Sequence, residues 1–322
     1  MRPIVIFVFF LFTASSISAQ VDSPQKKSVP DTVKIGTYII SIHDINFHDK
    51  EYTARFWLWF LYKNAEFDFA TQLDIPNAKT IEQPQVIKDS LEDKDWIILK
   101  MKCTMKEHWN VEDFPFDQQH LKIQIENTLF DNTSLIFLAD TLGSRFDNKE
   151  AIDGWTVTNF KVSTDENDYE TGFGDARQGK ESSSFSQFKI DMDIERNAWG
   201  LFMKIFSGMY VAFLIAAISF TIKPSELEPR FGLPVGGLFA AVGNKYIIDS
   251  VLPESSSFTL VDTLHTLTFL GIFGILVVSS VSLKFHDLDR AETSARINYV
   301  YSRVVIGCYV AINIIFIGLA LR

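Results

Sequence analysis

The stretch Trp109-Asn110-Val111-Glu112-Asp113-Phe114-Pro115-Phe116-Asp117 carries the strongest chemical signal in the chain. Aromatic, proline, aromatic, acid reads as a stiff loop with a charge at its tip. Proline fixes φ, and the flanking rings anchor the loop to a core. Such a loop, lying ahead of a group of apolar segments, is suited to passing force between domains. Titratable groups are also plentiful. His43, His48, His108 and His120, with many carboxylates, could change charge between neutral and acid pH. These histidines do not fall at metal-ligand spacings. No nucleophile stands beside a base in a known motif and no phosphate loop is present, so the sequence points away from an enzyme and implies no cofactor. A formal charge of -10 without a basic patch argues against nucleic-acid binding.

The elements that must position these residues fall into two parts. The 322 residues have room for two domains. Met1 to Ala19 has the form of a secretory signal: Arg2, an apolar run from Ile4 to Phe12, then small residues from Ser15 to Ala19. That run is too short to span a bilayer. A polar lead-in with Pro24 and Pro30 follows. From Val33 to about Arg196, short alternating runs are broken by turn residues. The clearest are Val33 to Ile42, Tyr52 to Tyr62, Trp96 to Thr104, Leu121 to Glu126, Ser134 to Leu138, Trp155 to Ser163 and Ser186 to Glu195. Many strands without a helical pattern predict a β-sandwich over residues 20–197.

Four apolar segments fill residues 198–322, at 198–222, 231–252, 258–283 and 299–321. Each is long enough to cross a hydrocarbon core, so an all-α four-helix transmembrane domain is expected. The first and third breaks hold Lys223, Arg230, Lys284, Arg290 and Arg296. The second holds Asp249 and Glu254 and no basic residue. This asymmetry predicts that the first and third breaks face the cytoplasm and the sandwich lies outside. Cys103 falls in a strand and Cys308 in a membrane segment, so the fold does not depend on a disulfide between them.

Taken in order, these features resemble the pentameric ligand-gated ion channels, the Cys-loop or Pro-loop receptors, in their prokaryotic form. The likeness runs from about Val33 to Arg322. It rests on a first-hairpin loop from Asn46 to Glu51, then Phe56-Trp57-Leu58-Trp59-Phe60. The Trp109 to Asp117 loop continues as Gln118-Gln119-His120-Leu121, and Ile194-Glu195-Arg196 precedes the first membrane segment. Leu252-Pro253 and then Thr259-Leu260-Val261-Asp262 match the linker and the start of the third helix. The chain departs from the family at Phe206-Ser207-Gly208, where a proline is usual, and at Asp74-Ile75-Pro76-Asn77, where a Trp-x-Pro signature is usual.

The resemblance implies a homopentamer in the cell or inner membrane, with the sandwich periplasmic or extracellular and the second membrane helix lining a pore for ions. Counted along that helix, the pore stripe is Gly232, Val235 or Gly236, Phe239, Val242 or Gly243, Tyr246 and Ser250. A ring of Phe239 would gate by dewetting. The same face could instead pack inside the bundle. Lys245 and Asp249, four apart, could pair on one side of that helix. The ligand site implied lies between subunits, with Trp57 and Trp59 from one side and Phe146, Tyr169, Phe173 and Phe185 from the other. Clustered rings suit an amine; protons are the alternative trigger. Trp57 and Trp59 could equally be sandwich core. Asp49, Glu51, Pro115, Asp117, Arg196 and Pro253 are placed at the domain junction, with Asp117 and Arg196 as an ion pair. Glu226 and Glu228 lean the inner mouth to cations, whereas Pro229-Arg230 is like that of anion-selective members. The alternative is a non-conducting membrane sensor or scaffold of the same fold.

Overall fold

The computed structural model describes residues 29–91, 93–147, 152–174, 181–253 and 257–321. The expected signal segment 1–19, most of the lead-in, Glu254 and the hairpin tip 175–180 lie outside these residues.

The amino-terminal part is built of β1 (Asp31–Asn46), β2 (Glu51–Tyr62), β3 (Leu73–Asp74), β4 (Ala78–Ile81), β5 (Gln85–Leu91), β6 (Lys94–Lys106), β7 (Gln118–Asn127), β8 (Leu135–Ala139), β9 (Arg145–Phe146), β10 (Trp155–Tyr169) and β11 (Ser183–Arg196). One sheet runs β4-β6-β2-β1-β8, with β5 on β6 and β9 on β1; the other runs β10-β11-β7-β3. Side chains alternate across each strand, so one face of each sheet supplies the core. In β2, Phe56, Leu58, Phe60 and Tyr62 point in, while Arg55, Trp57, Trp59 and Leu61 point out. In β11, Phe188, Ile190, Met192 and Ile194 point in. The expected β-sandwich is present. Four short strands, β3, β4, β5 and β9, escape sequence reading because they are brief or charged. β10 and β11 also run further along their hairpin than alternation indicates. Cross-strand pairing from Trp155↔Arg196 to Tyr169↔Ser183 satisfies their backbone there without burying alternate side chains.

Four helices follow: α1 (Ala198–Ile218), α2 (Leu227–Asp249), α3 (Leu260–Asp287) and α4 (Ala291–Ala320). All four are long and apolar enough to cross a membrane. α2 starts at Leu227, with Pro229 in its first turn, where a missing N–H costs nothing. α3 opens on a reciprocal cap, Thr259 Oγ1 accepting from the Asp262 N–H and Asp262 accepting from the Thr259 N–H. α4 starts at Ala291 rather than 299. Its first turns, Ala291-Glu292-Thr293-Ser294-Ala295-Arg296, are polar, so hydropathy does not mark them as helix.

α2 is packed on one side. Pro234, Gly237, Ala241 and Ile248 are buried at helical spacing. At Gly237 an added Cβ would lie 2.7 Å from the Ala212 carbonyl oxygen, so the missing side chain lets α1 and α2 touch backbone to backbone. Gly236 and Gly243 face open space instead. Arg230 is also buried, donating to the Ile222 carbonyl and, at 2.6 Å, to Asn298 Oδ1 of α4. Phe213 of α1 stacks on Tyr309 of α4 at 3.7 Å between centroids, and Tyr309 Oη meets Thr268 Oγ1 of α3 at 2.9 Å.

Two glycine substitutions separate these environments. Gly237→Val forces α1 and α2 apart and is expected to lose about 1–3 kcal/mol through overpacking. Gly243→Ala meets nothing and gains helix propensity, on the order of 1 kcal/mol. Thermal melting of the purified protein reads both signs.

Candidate functional site

The junction between sandwich and helices is built from the end of β11, the loop before β7 and the starts of α1 and α3. Arg196 closes β11, and its N–H donates to the Asp117 carbonyl at 3.3 Å. Its guanidinium forks onto the Asp117 carboxylate, Nε to Oδ1 at 2.6 Å and an Nη to Oδ2 at 3.1 Å. The Asp117 side chain is 2% exposed. The guanidinium also lies over the rings of Trp155 at 4.0 Å, Phe47 at 4.7 Å and Phe114 at 4.9 Å. Gln119 closes the loop, donating to Asp117 Oδ2 and to the Asn110 carbonyl, both at 2.6 Å. Trp109 Nε1 donates to the Asn46 carbonyl at 2.9 Å, which ties the loop to the first hairpin. The Phe114–Pro115 peptide is cis.

Two contacts carry this loop onto the helices. Phe116 packs against Trp199 and Phe202 of α1, each at 5.4 Å between centroids. The Leu260 N–H at the start of α3 donates to the Glu112 carbonyl at 2.7 Å. A cavity of about 700 Å3 lies alongside, lined by Asp113, Asp117, Glu195, Trp199 and Ala320 among others. Burial, with Glu112 and Asp117 nearby, raises the Asp113 carboxyl above its ordinary range. Asp49 and Glu51 are held within the sandwich: Asn46 Nδ2 donates to Asp49 at 2.8 Å, and Lys79 Nζ meets Glu51 at 2.6 Å. Pro253 is buried just beyond α2.

The β10–β11 hairpin gathers three of the sequence-selected aromatics. Tyr169 lies 5.3 Å from Phe173 and 5.8 Å from Phe185, and Phe173 lies 6.3 Å from Phe185. Phe146 packs on the sandwich core beside β1 instead. Trp57 and Trp59 project from the outward face of β2, not into the core. Lys100 Nζ sits 5.2 Å over Trp57, and Trp59 Nε1 donates to Asp140 at 3.3 Å.

Sequence reasoning missed Glu126. It occupies an outward position of β7 yet is 3% exposed, because side chains of β10 and β11 converge on it. Asn167 donates to Oε1 at 2.8 Å, Gln187 also donates to Oε1, and Tyr169 Oη donates to Oε2 at 2.9 Å. Among the described residues no lysine or arginine bonds this carboxylate. A buried anion held only by neutral donors, beside three rings, is an environment that favours an incoming cation. Burial first, and then the hydrogen bond to Glu126, push the Tyr169 phenol up to about 12. No sequence motif marks Glu126; only the hairpin pairing reveals it.

The stripe counted along α2 lies on its unpacked side. Phe239 is 71% and Tyr246 76% exposed, and Gly232, Val235, Gly236, Val242, Gly243 and Ser250 are exposed with them. Lys245 does pair with Asp249, at 2.8 Å, and also reaches Asp262 of the α3 cap at 2.8 Å. Also absent from the sequence reading is His265 of α3. Its Nδ1 meets the Val261 carbonyl at 2.8 Å and its Nε2 meets Asn244 Oδ1 at 3.2 Å, while Asn244 donates to the Ile205 carbonyl at 3.1 Å. This buried chain joins α1, α2 and α3. On the sandwich surface, His120 places its two ring nitrogens against Asp193 and Asp191. Both bonds are satisfied only by the imidazolium form, and the bond from His120 holds the Asp193 carboxyl below its ordinary range, with Asn159 adding to it.

No protein-family model matches the chain, and no curated protein matches it.

Removing Arg196 leaves Asp117 buried without its partner. Arg196→Ala is therefore expected to cost about 3–5 kcal/mol in denaturant or thermal unfolding. Arg196→Lys recovers charge but neither the fork nor the guanidinium's contact with three rings, and should restore only part. At the hairpin, the tyrosinate absorbance that Tyr169→Phe removes should titrate near 12 in the parent protein. Glu126→Gln takes away the anion, so that titration moves down while burial keeps it above that of free tyrosine.

Proposed function

We propose that this protein is a homopentameric, ligand-gated ion channel of the cell membrane, its sandwich on the outer side and α2 of each subunit around a central pore. The observation that carries the reading is the open face of α2. One side of this helix is packed on α1, while the other presents Phe239 and Tyr246 together with three glycines that touch nothing within 4 Å. Exposed glycines weaken a helix by about 1 kcal/mol each. They are useful where another backbone comes close. Around a symmetry axis, Phe239 supplies an apolar ring that excludes water when closed.

The other parts fit the same reading. A small amine enters beside Tyr169, Phe173 and Phe185, where Glu126 supplies the countercharge. Trp57 and Trp59, on the outward face of β2, complete the site from a neighbouring subunit. Protons are the alternative trigger. The loop from Trp109 to Asp117 relays movement, because it rests on both α1 and α3. Glu226 and Glu228 are exposed before and at the start of α2, whereas Arg230 is turned into the bundle. A mouth with carboxylates and without that arginine favours cations.

Ion flux into liposomes holding the purified protein tests the reading, first with pH stepped downward and then with a panel of primary amines. Flux is expected in response to at least one of these. Phe239→Ala should raise the basal leak, and Glu126→Gln should abolish the response to amines without altering that leak. Well-folded pentamers that bind an amine and pass no ion under any condition would replace the channel with a non-conducting receptor.

A further inference from the structure

β2 leaves the domain junction at Glu51 and ends at Tyr62, while β6 starts opposite it at Lys94 and returns. At this far end of the sandwich a cavity of about 650 Å3 opens between the end of β2, the connection 63–72 and the β5–β6 hairpin. Its walls are aromatic and acidic. Tyr62, Phe67 and Trp96 supply rings, and Asp68, Asp89 and Asp95 supply carboxylates. Lys88 is the basic residue of the lining, and it pairs with Asp68 at 3.0 Å. Lys63, next to Tyr62, is taken up by Asp93. The carboxylates of Asp89 and Asp95 accept from Ser90, the first from its N–H at 2.8 Å and the second from its hydroxyl at 3.1 Å. Among the described residues no lysine or arginine pairs with either, so both negative charges stand uncompensated.

A buried hydroxyl is the independent sign. Tyr62 is 6% exposed, its ring 6.2 Å from that of Phe67 and 5.1 Å from that of Phe69. Its Oη lines the cavity and makes no hydrogen bond among the described residues. A phenol buried so far ordinarily has a partner. Tyr62 and Asp95 stand directly opposite on neighbouring strands, so their side chains share one side of the sheet. Burial first, and then the charges of Asp95 and Asp68, raise the Tyr62 phenol above its ordinary value. An ammonium group has three donors and no acceptor, which matches a pocket of carboxylates, a phenol oxygen and ring faces. Among the described residues no group of His, Cys, Asp and Glu could hold a metal ion, which favours an organic cation over an inorganic one. We infer that this cavity binds a small primary ammonium ligand carrying an aromatic body. The ammonium sits between the Asp95 carboxylate and Tyr62 Oη, with Asp68 and Asp89 adding to the field. The body rests against Phe67 and Trp96. An occupied cavity would tie the connection 63–72 to the β5–β6 hairpin. Glu126 belongs to the other sheet, so the inference needs neither the amine site there nor conduction.

The test is calorimetric titration of the full chain in neutral detergent with phenethylamine, and with phenethyl alcohol as its uncharged counterpart. Glu126→Gln serves as the background, so that the hairpin site is silent. Phenethylamine should bind this protein, and phenethyl alcohol should bind at least about tenfold more weakly. Adding Asp95→Asn should weaken phenethylamine about tenfold, and adding Tyr62→Phe should weaken it severalfold, since each removes one partner of the ammonium. Tyr62→Phe breaks no hydrogen bond within the protein, so its melting should match that of the background. Asp153→Asn, an exposed carboxylate beside the junction, should leave binding unchanged. Equal binding with and without Asp95→Asn would overturn the site. So would an equal loss in Asp153→Asn, which would indicate diffuse attraction to an acidic protein. Equal affinity for phenethyl alcohol, which would indicate a merely apolar pocket, would overturn it too, as would no binding of phenethylamine in the Glu126→Gln background.

Discussion

The Asp117–Arg196 pair is the constraint on which the rest of the architecture turns. A carboxylate and a guanidinium are both taken out of water at the point where the last strand becomes the first helix. Neither could stay there alone, since isolated charges in low dielectric are costly. The fork between them, the Gln119 bond and three rings around the guanidinium offset that cost together. The consequence is geometric. The end of β11, the loop before β7 and the first hairpin through Phe47 share one cluster, so none can shift without disturbing the others. The helices inherit their position from this cluster, because α1 begins directly after Arg196 and α3 begins against the same loop.

A second division runs along α2. Its buried side is made of residues small enough for close contact, with Gly237 against the α1 backbone, and its other side carries rings and glycines with no neighbours. One helix is thereby fixed to its own bundle and unfinished toward the outside. The polar links that fix it are few and specific. Asn244 and His265 bridge three helices at one level, Lys245 reaches the α3 cap at the end nearer the sandwich, and Arg230 reaches α4 at the other.

Much of this was legible in the amino-acid order, for a physical reason. Period-two alternation over long strands and apolar segments of spanning length are signals that tertiary structure cannot easily override, and both domains follow from them. The loop from Trp109 to Asp117 was legible because proline and paired rings restrict the chain locally. Strands β3, β4 and β9 were not, since two to four residues give alternation too little length to show, and in β5 the charged pair Lys88-Asp89 interrupts it. The start of α4 was missed because its first turns are polar. Within the site, Tyr169, Phe173 and Phe185, which only the resemblance had singled out, come together on the β10–β11 hairpin, whereas Phe146 goes to the core. Glu126 and His265 were invisible for a shared reason. Each is made special by residues far along the chain that bury it, and a single polar residue in a strand or an apolar helix carries no mark of that burial.

The bond from the Leu260 N–H to the Glu112 carbonyl has a further implication. Both partners are main-chain atoms, so this joint between the loop and α3 does not depend on which side chains occupy the two positions. A side-chain change at either place leaves the bonding atoms themselves in the chain, and only proline at 260 would remove the donor. A mechanical connection of this kind is indifferent to sequence drift. Related chains could therefore keep the joint intact while their sequences diverge around it, and comparison of side chains alone would pass over it.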